Sequence, residues 1–222
     1  YFSGGVAQNI KAAMFLNNTK NLGKVIVPPA AGDSTLSIGA CYHSMHVKNL
    51  KNNNKKKIKL FPIKDMYLGY KNNSKDVENY IIKNKFHKKF KIIKNYKPDR
   101  VAKIISQGKI IGRCCGGMEF GLRALGNRSI LADPRKFETV AKINQKIKKR
   151  DFWMPFTPSM LFEDRKKFYK NHKNLNAKFM SMAFESTEFG RKNLKAAIHP
   201  ADFTIRPQTV KREDNNGYYD LI

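Results

Sequence analysis

The 222-residue sequence has few cysteines, few acidic residues and no long apolar run. Its three cysteines are too few and wrongly spaced for a disulfide framework or a four-ligand zinc site, so we expect a reduced, cytoplasmic setting. Because crossing a bilayer takes about 18 consecutive apolar residues, the class of transmembrane proteins is excluded. No charged-then-apolar leader opens the chain, so secretion is not expected either. The chain starts at Tyr1 in what reads as the middle of a domain, and we expect it to be a fragment.

The scarcity of acidic residues leaves a formal net charge of +27, from 44 Lys and Arg against 17 Asp and Glu. Such a balance is typical of basic nucleic-acid-binding proteins, which is one hypothesis for this chain. Arginine, the residue suited to reading bases, supplies only 10 of the cations. Much of the excess lies in Lys48–Lys97, where Lys, Asn and Ile rise together as they do in AT-rich genomes. We therefore expect no specific nucleic-acid partner.

What the sequence does contain is an α/β pattern in three regions. Hydrophobic residues make up 41% and charged residues 27%, which is typical of a folded chain with a core. Residues 1–46 predict a helix over Val6–Leu16, a short strand over Lys24–Val27 and a second helix after Asp33. Residues 47–97 are a Lys- and Asn-rich connector with one short helix from about Ser74.

Residues 98–222 resume a compact α/β pattern. Pro98 suits the first position of a helix that Gly108 would end, and a strand is predicted over Lys109–Cys114. A glycine-rich segment and then an amphipathic helix over Phe137–Lys149 follow. The last forty residues predict turns, ending at Tyr218 and Tyr219.

Two segments of the first region could contact a ligand. Gly4 and Gly5 form a turn that runs into a helix near Asn9, where backbone amides can approach a phosphate or ribose. A tight turn between a strand and a helix needs the same glycines. Asp33 lies on a Pro- and Gly-rich loop at a helix start, where its carboxylate could bind a metal or cap the helix.

The densest signal is the segment from Gly116 to Leu131, which follows a predicted strand and contains four glycines. Arginine side chains suit bidentate phosphate binding, and Arg123 and Arg128 lie five residues apart beside glycine amides. The segment therefore predicts a cradle for a polyanion. A surface turn with solvated arginines is the alternative. The other polar residues of the segment are Glu119, Asn127 and Ser129.

Two later segments add cations to the same region. Lys148 and Arg150 lie at the end of the predicted basic helix, just before the aromatic and proline-rich block Asp151–Ser159. Arg206 is held between prolines in the segment His199–Gln208. A third arginine-bearing segment in one region predicts a shared anion site.

Taken together, these segments resemble carbamoyltransferases of the NodU/CmcH family. The string Glu-Phe-Gly-x-Arg-Ala-Leu-Gly-Asn-Arg-Ser-Ile-Leu is the most specific part of the resemblance, which covers nearly the whole chain except the connector. The resemblance implies two incomplete domains: the end of an actin/sugar-kinase-like domain over 1–46 and a truncated YrdC-like α/β domain over 98–222.

The resemblance also implies an activity. In the family, the YrdC-like domain joins carbamoyl phosphate and ATP, with Mg²⁺, into carbamoyl adenylate. The first domain, which carries a divalent metal such as iron, passes the carbamoyl group to a hydroxyl of a sugar or another small acceptor. The remaining metal ligands would precede Tyr1 and a Ser-Phe-Asn segment would follow Ile222, so we expect this chain alone to be inactive.

Site residues follow from the resemblance by position. It implies that Asp33 is a metal ligand. It implies that Arg123, Arg128, Lys148 and Arg150 act on the phosphates. It implies that the residues contacting substrate or nucleotide are Gly4, Gly5, Asn9, Glu119, Asn127, Ser129 and Arg206.

A different enzyme class uses the same folds, namely synthesis of threonylcarbamoyladenosine on tRNA. The Met118–Leu131 string and the covalent two-domain layout favour the small-molecule carbamoyltransferase over that alternative.

Overall fold

The structure is a computed structural model that describes residues 1–52, 58–151 and 154–222. Residues 53–57 of the connector, and Phe152 and Trp153 of the aromatic block, lie outside the described residues. The α-helices are α1 Ile10–Asn18, α2 Leu36–Lys51, α3 Ser74–Lys83, α4 Pro98–Ser106, α5 Glu138–Ile143, α6 Arg165–Phe168, α7 Glu188–Asn193 and α8 Asn216–Tyr219. The strands are β1 Ile111–Cys114, β2 Arg128–Leu131, β3 Ser159–Leu161, β4 Phe184–Glu185, β5 Thr204–Ile205 and β6 Gln208–Val210.

The strands form three small sheets of two strands each. β1 and β2 are antiparallel, with Ile111 opposite Leu131. β3 and β6 are parallel, and β4 and β5 are antiparallel. With helices placed between these sheets along the chain, the predicted mixed α/β class is confirmed.

The two helices predicted in the last region are present, whereas the last forty residues, predicted to form turns, also contain α7, α8 and three short strands. Pro98 is at the first position of α4, and Gly108 follows the helix with a φ of 84°, a value that glycine adopts without steric cost. The strand predicted over Lys109–Cys114 is confirmed as β1. The helix predicted over Phe137–Lys149 is α5, which continues as a turn of π-helix over Asn144–Lys148.

The first region differs from the prediction in two places. The helix predicted over Val6–Leu16 is a 3₁₀ turn, Gly5–Gln8, followed by α1, because the Asn9 side chain caps α1. The strand predicted over Lys24–Val27 is wrong: this segment has no partner strand among the described residues. Val25 and Val27 instead pack on the hydrophobic core. The helix predicted after Asp33 is confirmed as α2.

The main hydrophobic core joins the two ends of the chain. Tyr169, Phe184 and Ile205 are buried at its centre. Ala13 of α1 is fully buried in the same core, and Phe2 packs against it. The first residues of the chain therefore depend on the last region for their packing.

Part of the connector is built into the fold. Met66 is buried in a second cluster with Ala30, Leu125 and Met180. The Tyr67 hydroxyl donates a hydrogen bond of 2.8 Å to the Leu125 carbonyl. This part of the connector thus packs directly against the glycine-rich segment. The helix predicted from about Ser74 is confirmed as α3, although Asn73 rather than Ser74 provides the capping side chain.

Every helix among the described residues is too short or too polar to cross a lipid bilayer.

Candidate active site

A cavity of about 1020 Å³, called here the central cavity, lies between the β1–β2 hairpin, the segment after α5 and the β3–β6 pair. The described residues that line it include a single carboxylate, that of Asp133. Seven cationic side chains also line the cavity: Arg113, Arg123, Arg128, Arg135, Lys148, Arg150 and Arg206.

The loop that carries Arg123 is held in shape by a buried carboxylate. The side chain of Glu119 is 1% exposed. Its Oε1 accepts hydrogen bonds from the backbone amides of Leu125, Asn127 and Arg128, at 2.9, 2.9 and 3.0 Å. Its Oε2 accepts from Nε of Arg128 at 3.0 Å. Burial acts to raise the pKa of Glu119, but these donors outweigh it and hold the pKa below its usual value.

Close packing fixes the far side of the same loop. Gly126 has a φ of 111°, and a Cβ there would lie 2.4 Å from Cδ1 of Tyr218, so this position requires glycine. Arg113 donates from Nε to the Gly126 carbonyl at 2.8 Å. Gln208 of β6 donates from Nε2 to the Leu125 carbonyl, also at 2.8 Å. Strands and the terminal helix thus hold the arginine-bearing loop at the cavity wall.

Arg123 and Arg206 are only partly exposed to solvent at this wall. Among the described residues Arg123 makes no hydrogen bond or ion pair, and Arg206 donates only to the neutral Thr157 hydroxyl, at 2.8 and 3.0 Å. Burial lowers the pKa of Arg123. Burial, together with the charges of Arg123 and Arg150, lowers the pKa of Arg206 to about 10. Burial therefore acts on both guanidinium groups, and the repulsion from Arg123 and Arg150 acts on Arg206 as well.

Arg150 is aimed by the end of the π-helix. Lys149 has a φ of 47°, which turns the chain just before it. Arg150 donates from Nε to Oδ1 of the buried Asn144 at 2.7 Å, and its guanidinium stacks over the Phe156 ring at 4.5 Å from the centroid. Lys148 lines the same wall and is exposed.

Two of the seven cations are already neutralised. Arg128 pairs with Glu119, and Arg135 pairs with Asp133, whose side chain is 4% exposed. The other five have no carboxylate partner among the described residues. A cavity with this excess of positive charge suits a ligand that carries several phosphate charges. Such a ligand reduces the repulsion between the cationic side chains and accepts charge-assisted hydrogen bonds from them.

The structure brings together most of the candidates predicted in the last region. Ser129 lines the cavity as well, and its Oγ accepts from the Gly126 amide at 3.0 Å. Glu119 and Asn127 do not line it: both are buried in the loop, where Asn127 donates to the Gly117 carbonyl and accepts from Asn215. Their observed contacts are with the protein itself.

The candidates of the first region do not line the central cavity. Gly4 has a φ of 95°, Gly5 begins the 3₁₀ turn, and both are exposed. The Asn9 side chain accepts from the Lys11 and Ala12 amides at 3.1 Å each, which is a helix cap. Asp33 is exposed at the start of a 3₁₀ turn.

The described residues contain no cluster of three or more side chains that could hold a metal ion. Nowhere in them do three or more His, Cys, Asp or Glu side chains converge. Asp33 is therefore not part of a cluster of three or more such side chains in the part of the chain that the structure describes.

Sequence reasoning missed several side chains of the cavity wall. Arg113 lies on the half-buried face of β1, next to the Tyr218 ring, at 5.7 Å from the centroid. An arginine at an inward position of a predicted strand is a signal that could have identified it. Thr157 and Gln208 carried no such signal, because neutral polar residues are common in loops and strands.

The chain is similar to a known protein family and to several curated proteins. The model for the carbamoyltransferase C-terminus matches residues 102–222. An uncharacterized protein of Methanocaldococcus jannaschii is 35% identical over 99% of this chain and 35% of its own length. The chain thus spans about a third of that relative.

Two relatives with functional names match the last region. The nodulation protein NolNO of Sinorhizobium fredii is 42% identical over 55% of this chain and 18% of its own length. A 3'-hydroxymethylcephem-O-carbamoyltransferase of Amycolatopsis lactamdurans is 30% identical over 56% of this chain and 23% of its own length. The family model covers more than half of the 222 residues, including every cation of the central cavity, and the chain therefore belongs to the carbamoyltransferase family.

Proposed function

We propose that the protein is an O-carbamoyltransferase and that its central cavity makes carbamoyl adenylate. In the overall balance, carbamoyl phosphate, ATP and water give carbamoyl adenylate, pyrophosphate and phosphate. Water cleaves the bond between the carbamoyl group and its phosphate, and the carbamate oxygen then bonds to the α-phosphorus of ATP. The bond from that phosphorus to the pyrophosphate oxygen breaks, and pyrophosphate leaves with the electron pair.

One observation carries the proposal: Arg123, Arg150 and Arg206 face one cavity without a carboxylate partner among the described residues. Both substrates are polyanions, and negative charge shifts to the leaving pyrophosphate during the reaction. Fixed cations that need no rearrangement stabilise such charge most effectively. The volume of about 1020 Å³ is enough for a nucleotide and a second small anion.

The finer architecture belongs to the same proposal. Residues 98–222 would be a YrdC-like domain and residues 1–46 the end of an actin-like domain, with 47–97 connecting them. Gly4, Gly5 and Asn9 would contact nucleotide in the first domain. Asp33 would be one ligand of a divalent metal, but the described residues do not complete that site.

The acceptor would be a hydroxyl of a sugar or another small molecule. The carbamoyltransferase of Amycolatopsis lactamdurans is named for transfer to the oxygen of a hydroxymethyl group. Transfer moves the carbamoyl group from the adenylate to the acceptor oxygen, releases AMP and frees the hydroxyl proton.

The test measures pyrophosphate released by the full-length protein with ATP, Mg²⁺ and carbamoyl phosphate but no acceptor. We expect release that requires carbamoyl phosphate and falls by about a hundredfold or more in Arg123→Ala, because a fixed charge at the transition state is lost. Arg212→Ala is the matched control, since Arg212 is 62% exposed, pairs with Asp220 and does not line the cavity.

The proposal fails if Arg123→Ala releases pyrophosphate at the rate of the parent protein. It also fails if the parent binds ATP but releases no pyrophosphate with carbamoyl phosphate.

A further inference from the structure

A smaller pocket lies away from the central cavity and shares no lining residue with it. Its volume is about 240 Å³, and we call it the second pocket. None of the described residues that line it is acidic. They are Arg165, Lys166, Tyr169, Lys170, Asn171, His172, Asn174 and Thr187.

A buried hydroxyl at this pocket lacks a partner. Tyr169 is 2% exposed, its ring packs on Phe184 with centroids 4.8 Å apart, and its hydroxyl oxygen has no hydrogen-bond partner among the described residues. The hydrogen bonds of the neighbouring Asn171 side chain go to the backbone of Leu175: it donates to the Leu175 carbonyl and accepts from the Leu175 amide, each at 2.8 Å. An unpaired buried hydroxyl destabilises the fold, so a hydroxyl kept unpaired at a pocket wall suggests a ligand that pairs with it.

The Tyr169 hydroxyl stays protonated at physiological pH. Burial raises the pKa of Tyr169 to about 12, while the nearby Asn171 amide and the Arg165 charge act in the opposite direction. Tyr169, Asn171 and Arg165 all line the second pocket. A neutral phenol in this position is a hydrogen-bond donor at any physiological pH.

The positive charge of the pocket is only partly compensated. Lys170 pairs with Glu185 at 3.2 Å. Arg165 donates to the Phe162 carbonyl at 2.6 Å and stacks over the Phe162 ring, which fixes the guanidinium and leaves other N–H groups available. Lys166 makes no hydrogen bond or ion pair within the described part of the chain.

We infer that the second pocket binds the phosphate group of a small ligand, with Arg165, Lys166 and the Tyr169 hydroxyl as donors. Phosphate offers several strong acceptor oxygens to donors that converge from different sides. The volume admits a phosphate group with little more than a few attached atoms. This site is independent of the proposed chemistry in the central cavity.

The test measures phosphate affinity by calorimetry in the full-length protein and in its Arg123→Ala variant. Lys166→Ala is compared with Lys167→Ala, which removes the same charge from the same helix. Lys167 does not line the pocket and pairs with Asp164, so its removal leaves the pocket lining intact. We expect Lys166→Ala to weaken binding of inorganic phosphate at the second pocket by about tenfold and Lys167→Ala to leave it nearly unchanged.

A second variant separates ligand binding from a structural role. Tyr169→Phe removes one buried hydroxyl and keeps the ring packing. We expect it to weaken phosphate binding by about tenfold and to leave the thermal stability equal or higher, because an unpaired buried group is removed. A purely structural hydroxyl would change stability and leave phosphate affinity alone.

We expect Lys166→Ala and Tyr169→Phe to weaken phosphate binding equally when Arg123→Ala is also present. The second pocket is thereby tested separately from the central cavity. Ribose 5-phosphate distinguishes a free phosphate ion from an ester: tighter binding than phosphate indicates a ligand that extends out of the pocket. The inference is overturned if the Arg123→Ala variant binds neither compound or if Lys167→Ala weakens binding as much as Lys166→Ala. Binding of an RNA oligonucleotide with neither small compound bound also overturns it.

Discussion

At the scale of single residues, Glu119 illustrates how a charged side chain shapes a site without facing it. Its carboxylate gathers three backbone amides and the Arg128 guanidinium at the base of the loop that carries Arg123. Charge-assisted hydrogen bonds of this kind are stronger than neutral ones, and a buried carboxylate depends on all of them. The position of Arg123 at the cavity wall therefore rests on a residue that does not line it.

We predict that Glu119→Gln lowers the free energy of unfolding by about 2–4 kcal/mol, because the amide nitrogen would face the donating Nε of Arg128. Denaturant titration at neutral pH measures the change. The depressed pKa means that the ionised carboxylate stabilises the fold above its usual pKa and that this contribution is lost as the pH falls through the folded value. The difference in the free energy of unfolding between parent and variant should therefore become smaller at acidic pH.

Glu163→Gln is the control for this substitution. Glu163 is exposed and has no hydrogen bond or ion pair within the described residues, so its change should stay within about 0.5 kcal/mol. Equal effects of the two substitutions would contradict the structural role of Glu119.

The sequence identified four of the six arginines that line the central cavity but not the role of this glutamate. Arginines beside glycines predict anion binding wherever they lie, because their chemistry is the same in any fold. Glu119 was predicted to contact nucleotide, but the structure shows its carboxylate turned into the loop and buried. Which way a carboxylate points depends on which backbone amides the fold brings near it.

At the scale of secondary structure elements, the start of α1 is set by its cap. Asn9 accepts two backbone amides with its side chain, and this ends the 3₁₀ turn before it. The same residue is a candidate nucleotide contact in the proposed first domain.

We predict that Asn9→Ala lowers the free energy of unfolding by about 1 kcal/mol even without nucleotide, because two amides of the first turn lose their acceptor. Thermal unfolding with and without ATP separates this capping role from a contribution to binding. Asn18→Ala at the other end of α1 is the control, since Asn18 is exposed and makes no side-chain hydrogen bond within the described chain. A loss as large in the control as in Asn9→Ala would argue against the cap.

Local signals predicted helices better than strands. Proline at the start and glycine after the end of α4 act within a few residues, and the structure confirms both. The β-branched run Lys24–Val27 has the composition of a strand, but a strand needs a partner, and its valines pack on the core instead. A short stretch of sequence does not show whether a distant segment will pair with it as a strand.

At the scale of the whole molecule, an ion pair joins parts of the chain that are far apart in sequence. Nζ of Lys11 in α1 lies 2.6 Å from Oδ2 of Asp202. Burial acts to raise the pKa of Asp202, but Lys11 and Thr204 outweigh it and hold the pKa at about 2. The depressed pKa stabilises the fold above about pH 4, and this contribution is lost as the pH falls toward 2.

We predict that Lys11→Gln lowers the free energy of unfolding at neutral pH by no more than about 1 kcal/mol, since both side chains are more than a third exposed. The difference in unfolding free energy between parent and variant should narrow as the pH falls from about 4 toward 2, where Asp202 of the folded parent becomes protonated. Urea titrations between neutral pH and about pH 2 measure this difference in the free energy of unfolding. Lys20→Gln is the control, because Lys20 is exposed and unpaired among the described residues, and it should show no such pH dependence.

The sequence by itself determined the family and predicted the positive charge of the central cavity. The string around Arg123 and Arg128 and the arginines at 150 and 206 are local patterns, readable without a fold, and the match to the carbamoyltransferase C-terminus confirms the family. Side-chain charge is a property of composition, so the excess of cations over carboxylates was visible from the start.

Only the tertiary structure decided which of these groups meet and which are already paired. Arg113 joins the cavity because β1 pairs with β2, and Arg128 is neutralised because the loop buries Glu119. The unpaired Tyr169 hydroxyl among Arg165 and Lys166 is likewise a product of packing. Burial, pairing and proximity depend on contacts between residues distant in the chain, and no local pattern of residue types encodes them.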